Sequence, residues 1–349
     1  MSEIYINSIK QISAQKPLTD EWFDAPVRYS ENYVRAIDPD FRQYFAPNVA
    51  RRFGKILKRA LVVSQKALEE SDVTNPDAII TGTGLGCIEN TELFLDKLVR
   101  EGEELLNPTQ FMQSTHNTIS SLIAIEAKCH SYNTTYAHKG ISFECALQDA
   151  LLQLQSGGIK TALVGAHDEM TPAYFTLLQK AGFLGQANQT FAGETAVAMM
   201  LTNQKTEKSL CKIENVEKFY GNVETWRAAS LQVSDIDYIM LGTNGVAETD
   251  RIYYENCQKL FPDIPLLQYK NIFGESYTAP AFGVYAAALC LKNGKIPDFL
   301  EQRAKLVPPK RESEEQRQNA VRKILCYNQL ENKNHTFVCL TSKNLTPKK

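Results

Sequence analysis

Residues 154–169 read LQSGGIKTALVGAHDE, and this stretch decides the fold. The helical pattern ISFECALQDALLQL (141–154) runs up to Ser156-Gly157, where glycine supplies the left-handed residue that commonly ends a helix. TALVGA (161–166) then follows as a short run of apolar and small residues with no charge, as a strand covered on both faces requires. A long helix that hands over directly to a doubly covered strand signals α/β architecture.

Outward from that point the same alternation continues. Upstream lie IYI near the start, a helical pattern over 51–70, the strand AIITGT (78–83), helices over 89–101 and 117–128, and the strand NTTYA (133–137). Downstream, TAVAMML (195–201) closes the series before a polar, lysine-rich segment at 202–209. A second series follows: IENVEKFY, DYIMLGT (237–243), a helix over 249–260, LLQY (266–269), a small-residue helix over 279–292, and HTFVCLT (335–341). The expected division is into halves of comparable order, 1–205 and 206–349. The charged, proline-containing stretch 305–323 reads as a solvated connection followed by a surface helix, and LTPKK (345–349) is expected to fray.

The bulk numbers exclude more than they select. With 349 residues, 43% hydrophobic and 22% charged, the chain can bury a sizeable core. A formal charge of −2 from 38 basic and 40 acidic residues gives no general reason to bind nucleic acid or an anionic membrane. The eight cysteines show no CxxC pairing, and several sit in apolar runs such as AAALCL, so they read as reduced, buried thiols. MSEIYINSIKQ turns polar at once and no apolar stretch approaches a membrane span, so the expected location is cytoplasmic. No histidine has defensible metal-ligand spacing, and neither metal nor cofactor is expected.

Several stretches carry a family resemblance. LQSGGIKTALVGAHDE, FAGETAVAMML (191–201), IDYIMLGTNGVAETD (236–250) and QYKNIFGESYTAPAFG (268–283) occur in the order found in condensing enzymes, preceded by TGTGLG (81–86) and HNTISSLIAIEAK (116–128). The chain resembles the β-ketoacyl synthases of the thiolase-like superfamily over roughly 78–290. The resemblance implies a thiolase-like five-layer αβαβα fold built from two pseudo-duplicated halves. It also implies a cysteine at the N-terminus of a buried helix, where free N–H groups favour thiolate, two histidines that stabilise the enolate formed on decarboxylation, and a supporting lysine.

Three of those four side chains are missing. Counting forward from Asn117 and backward from Ser156-Gly157 both place Gly140 at the cysteine; a gapped alternative gives Ala137, also without a nucleophile. The first histidine position falls on Gly242, or on Leu241 with one gap, and the second on Glu275, while Lys270 is retained. A carboxylate at 275 would repel the developing enolate, and a Lys270–Glu275 pair is a plausible neutralising arrangement. For Lys270 the ordinary reading is a partly exposed lysine retained by chance. Cys145, the nearest thiol, reads as a buried small residue. The family's late glycine-rich loop corresponds to CYNQLENKNHTF (326–337), which has no glycine. His138 reads as a polar residue at a strand-to-helix turn or as a member of the altered pocket, and the adjacent His167-Asp168 pair should point opposite ways.

The resemblance therefore implies a non-catalytic, chain-length-factor-like subunit. It would pair with an active ketosynthase as a heterodimer, or with itself, and serve an acyl carrier protein in fatty-acid or polyketide-type synthesis, including polyene-type products. Phe111, Met112, His116 and His138 are the tunnel and interface candidates, against ordinary interface packing. Arg51, Arg52, Lys55, Lys58 and Arg59 are the carrier-docking candidates, against the solvated face of an amphipathic helix. Two alternatives stay open: a thiolase-superfamily acyltransferase or decarboxylase using Lys270, Glu275 or His138 in a rearranged site, as an enzyme a β-ketoacyl synthase-like acyltransferase, and a homodimeric acyl-binding protein.

Overall fold

Apolar runs become strands that are covered on both faces. β1 (Ile4–Ile12), β2 (Ala78–Gly82), β4 (Thr161–Asp168) and β5 (Thr195–Thr202) are buried along almost their whole length, which accounts for the lack of alternation in their sequences. β3 (Tyr132–Tyr136) differs, being exposed to half-buried throughout. β6 (Cys211–Tyr220), β7 (Tyr238–Leu241), β8 (Leu266–Gln268), β9 (Lys323–Leu330) and β10 (Asn334–Ser342) complete the set. The structure, a computed structural model, describes residues 2–103, 106, 108–184, 190–221, 223, 235–302 and 321–344.

The ten strands among the described residues form one continuous sheet in the order β3-β2-β4-β5-β1-β6-β10-β9-β7-β8. The join is narrow: β1 pairs with β6 through Ile4, Tyr5 and Ile6, set against Ile213, Lys212 and Cys211. Outward from the join, each side runs through the first, fifth, fourth, second and third strand of its own series. The pairing senses also repeat, two antiparallel ladders and then two parallel ones.

Among the described residues, the helices longer than four residues are α1 (Lys55–Ser71), α2 (Ile88–Glu101), α3 (Pro108–Ser114), α4 (Thr118–Glu126), α5 (Ser142–Ser156), α6 (Pro172–Lys180), α7 (Ala247–Leu260) and α8 (Pro280–Asn293). α5 and α8 share one core with the inner faces of both sides of the sheet, through Phe143, Leu147, Phe282 and Tyr285. α1 and α4 cover one outer face, and α7 covers the other through Tyr253, Cys257 and Leu260. This gives the thiolase-like αβαβα layering. No helix among the described residues is long and apolar enough to cross a membrane.

Three expectations change in detail. α1 begins at Lys55 rather than Arg51, because Gly54 takes the N-cap and Arg51 and Arg52 lie in the preceding turn. CYNQLENKNHTF is a β-hairpin, not a gating loop: β9 turns into β10 through Glu331 and Asn332, both at positive φ. The polar Asn328 and Gln329 obscured that strand, although both are buried. Residues 305–320 and LTPKK lie outside the described residues, whereas Lys323 at the end of the charged stretch opens β9.

Candidate functional site

The strand ends of β2, β3, β4 and β7 and the short helix Lys270–Phe273 lie around the positions singled out by sequence. Gly140 lies in a 3-10 turn, Lys139–Ile141, immediately ahead of α5. Ser142 fastens that turn, its hydroxyl accepting from His138 N–H and donating to the Lys139 carbonyl, both at 2.7 Å. Cys145 sits a turn further into α5, buried, with Lys218 Nζ 3.3 Å from its sulfur. Burial pushes its thiol up, the lysine opposing only in part, so it remains a thiol rather than a nucleophile.

Gly242 directly follows β7, its N–H bonded to the Tyr327 carbonyl at 3.1 Å. A Cβ built there would lie 2.7 Å from the Tyr253 hydroxyl and 2.9 Å from Asn328 Oδ1. Lys270 and Glu275 meet at 2.8 Å, their side chains 6% and 16% exposed. The Glu275 backbone is pinned to residues 191–193, donating to Phe191 O at 2.7 Å and accepting from Gly193 N at 2.9 Å. Gly274 makes the turn between the pair at φ +86°, pressed against the Phe191 ring. The lysine charge is thereby matched by a carboxylate on a fixed loop.

Sequence reasoning missed the centre of this region. Glu144, fully buried on α5, accepts at Oε1 from Asn328 Nδ2 and Thr336 Oγ1, both at 2.8 Å, while Oε2 has no partner. Burial raises its pKa against those hydrogen bonds. An acid between Phe143 and Cys145 in an otherwise apolar helical stripe was the available signal. Asp250 accepts from Asn244 N at 2.9 Å and Gly245 N at 3.0 Å; burial raises its pKa, and the nearby Lys270 charge opposes the rise.

The histidines do not converge. His116 is exposed beside Gly86, and His138 is exposed with its ring 6.0 Å from Tyr136. His167 is buried with neither ring nitrogen paired, and burial lowers its pKa to about 3. Asp168 instead accepts from Thr83 Oγ1 at 2.9 Å, Gly84 N at 2.9 Å and Leu85 N at 2.8 Å. It shapes the 83–86 loop. Among the described residues, no group of three or more His, Cys, Asp or Glu is arranged to hold a metal.

The surface candidates separate. Phe111 and Met112 on α3 are 56% and 62% exposed, and Phe111 also touches Phe94. Arg51 and Arg52 are exposed, and Lys55 is exposed with Asp38 3.9 Å away. Lys58 lies over the Phe41 ring. Arg59 must be removed from any docking surface: it is 1% exposed and bonded to Asp38 at 2.5 Å and Glu194 at 2.9 Å. Its place on α1 shares the inward face with Ile56, Ala60 and Val63.

A cavity of about 820 Å³ opens beside Thr243 and Gly245, lined also by Asp250, Tyr254, Arg28 and Phe299. Around Gly140, Gly242 and Glu275, the described side chains offer a matched ion pair and a buried acid. They do not offer an activated nucleophile beside a base.

Comparison with known proteins gives this arrangement a context. The family model described as "Beta-ketoacyl synthase, N-terminal domain" matches residues 30–238, more than half of the chain. No curated protein matches it in sequence. Among solved structures, the ishigamide ketosynthase/chain length factor superposes with a TM-score of 0.82 at 17% identity, covering 98% of this chain and 100% of that one. The ketosynthase ApeO in complex with its chain length factor ApeC, from Xenorhabdus doucetiae, gives 0.75 at 14% identity, with 98% of each chain covered. A type II polyketide acyl-carrier protein in complex with its ketosynthase, bound to the hexaketide, gives 0.75 at 12%, covering 98% and 99%.

Proposed function

The chain belongs to the β-ketoacyl synthase family, and from that premise we propose that it is a non-catalytic, chain-length-factor-like subunit. It pairs with an active ketosynthase that elongates a carrier-bound acyl chain in polyketide or fatty-acid-type synthesis. The observation that carries this reading is the composition of the reaction centre. Glycine stands at 140 and 242, and the remaining lysine is neutralised by Glu275 at 2.8 Å, where the family's chemistry needs a thiolate and two imidazoles. The halves divide at 205/206, inside the connection between β5 and β6.

A partner is supported by one face of the molecule. β3 is an edge strand with few charges to blunt pairing. Beside it, Leu93, Val99, Phe111, Met112 and Ile125 from α2, α3 and α4 are exposed together with Tyr132. Phe111 and Met112 act there as the stop that sets product length. Arg51, Arg52 and Lys55 supply weak, salt-sensitive attraction to an acidic carrier protein. The solved relatives include ketosynthases with a chain length factor and one with an acyl-carrier protein.

Reconstitution with labelled malonyl carrier protein tests this function. The chain alone should give no condensation, and Gly140→Cys should not restore it, because each missing electrostatic donor costs about 3 kcal/mol of transition-state stabilisation. Added to its cognate ketosynthase, the chain should change product length, and smaller residues at 111 and 112 should lengthen the product. Condensation by the purified chain alone would overturn the proposal.

A further inference from the structure

The interior around the lost side chains is refilled as well as disarmed. β9 carries two residues into it. On the Gly242 side, Asn328 Nδ2 donates to the Gly140 carbonyl and to Glu144 Oε1, both at 2.8 Å, and its Oδ1 accepts from the Tyr253 hydroxyl at 3.0 Å. That hydroxyl in turn accepts from Gln329 N at 3.0 Å. A Cβ at Gly242 would strike both members of the Tyr253–Asn328 pair, at 2.7 and 2.9 Å. A side chain at 242 therefore requires a buried hydrogen-bonded pair to move.

On the Gly140 side, Leu330 Cδ1 lies 3.4 Å and Tyr277 Cδ1 3.9 Å from where a Cβ would stand. Tyr277 is itself pressed onto Gly84, where a Cβ would come within 2.4 Å of it. The Tyr277 hydroxyl is held 3.1 Å from that of Tyr174. Beside Glu144 and Asn328 the remaining cavity is about 10 Å³, room for about one water.

We infer that Asn328, Leu330, Tyr253 and Tyr277 form a built-in plug, so that this chain admits no acyl chain into the space between Gly140 and Gly242 even when the catalytic side chains are restored. The inference rests on the partner-subunit reading and deepens it: the growing chain does not enter this chain's own altered centre and meets this subunit only at the Phe111–Met112 face. Displacing the polar half of the plug would leave the half-buried Gly140 carbonyl and the buried Asn328 amide without each other, which an incoming alkyl chain cannot repair.

Gly140→Cys puts a thiol at the edge of the plug, where the 3.4 Å contact tolerates a side chain. Alkylation of that residue by N-octyl iodoacetamide is followed by peptide mass mapping, with iodoacetamide as the control for thiol reactivity. The octyl reagent should label a Gly140→Cys variant also carrying Leu330→Ala and Tyr277→Ala at least tenfold faster than Gly140→Cys alone. Equal octyl rates in the two variants would overturn the plug. Should the triple variant not fold, thermal unfolding of Gly242→Ala, Tyr253→Phe and their combination replaces it. The double variant should lose less in Tm than the two single losses summed, and strict additivity would overturn the plug. Octyl labelling of Gly140→Cys alone as fast as of the triple variant, without condensation, would remove the plug and leave the partner-subunit reading standing, whereas condensation by this chain would remove that reading.

Discussion

Between Gly140 and Tyr253, Asn328 spends its amide on Gly140, Glu144 and Tyr253, and the space left beside Glu144 and Asn328 is about 10 Å³. Along α2, α3, α4 and β3, by contrast, Val99 is 84% exposed and Ile125 66%, and the sheet edge at Tyr132–Tyr136 is open. In an active synthase both regions serve the reaction. Here the space between Gly140 and Gly242 is closed by hydrogen bonds and rings, while the edge keeps the apolar surface that a subunit interface needs. The contrast fits a chain whose remaining work is done by its surface.

The largest expected effect lies in the interior. Arg59→Ala leaves Glu194 and Asp38 without their shared cation, and should cost about 3–5 kcal/mol in denaturant unfolding. Arg51→Ala and Arg52→Ala should change stability by less than about 0.5 kcal/mol, and should weaken carrier binding most at low salt. Equal stability losses at 51 and 59 would erase the distinction between buried and surface members of the cluster. At the edge, Val99→Glu combined with Phe111→Glu should weaken association with the ketosynthase at least about 100-fold, or about 2.7 kcal/mol, in sedimentation or co-purification. Undiminished association would show that the apolar face is not the interface. Asn328→Ala comes next: it strips partners from the Gly140 carbonyl, Glu144 and Tyr253, at an expected cost of about 1–3 kcal/mol.

What the sequence made legible follows the same division. The strands of the first half and helix α8 were readable because double burial writes unbroken apolar runs, and Lys270 and Glu275 could be paired because five residues around a glycine turn place them within reach. β9 was not readable as a strand, since KILCYNQL mixes polar and apolar residues with no period of two. Its Asn328 and Gln329 are buried because they bond to groups distant in sequence, Gly140, Glu144 and Tyr253, and a one-dimensional pattern carries no trace of such partners. Arg59 looked like its neighbours in composition. Only its phase on α1 and the distant Glu194 turn it inward.

The smallest effect tests the place where interior and edge meet. Glu169, at the end of β4, accepts from Glu89 N at 3.0 Å, in the first turn of α2, the helix that presents Leu93 and Val99. Burial raises its pKa from 4.5 to about 7; the backbone N–H of Glu89 works against the rise, the charges of Glu89 and Glu194 add to it, and Arg59 opposes it. Between those two values the folded chain binds more protons than the unfolded one. This contribution to stability is therefore complete below pH 4.5, declines as pH rises, and levels off above about 7. From pH 6 to 8 the loss should be about 1 kcal/mol. Glu169→Gln keeps an acceptor for Glu89 N–H and cannot ionise, so its unfolding free energy should fall less than that of the natural chain over the same interval. The comparison is a pair of urea titrations at each pH. Parallel pH profiles for the two proteins would show that α2 is not coupled to the interior through this carboxyl, and the exposed face would then respond to pH through its own surface charges alone.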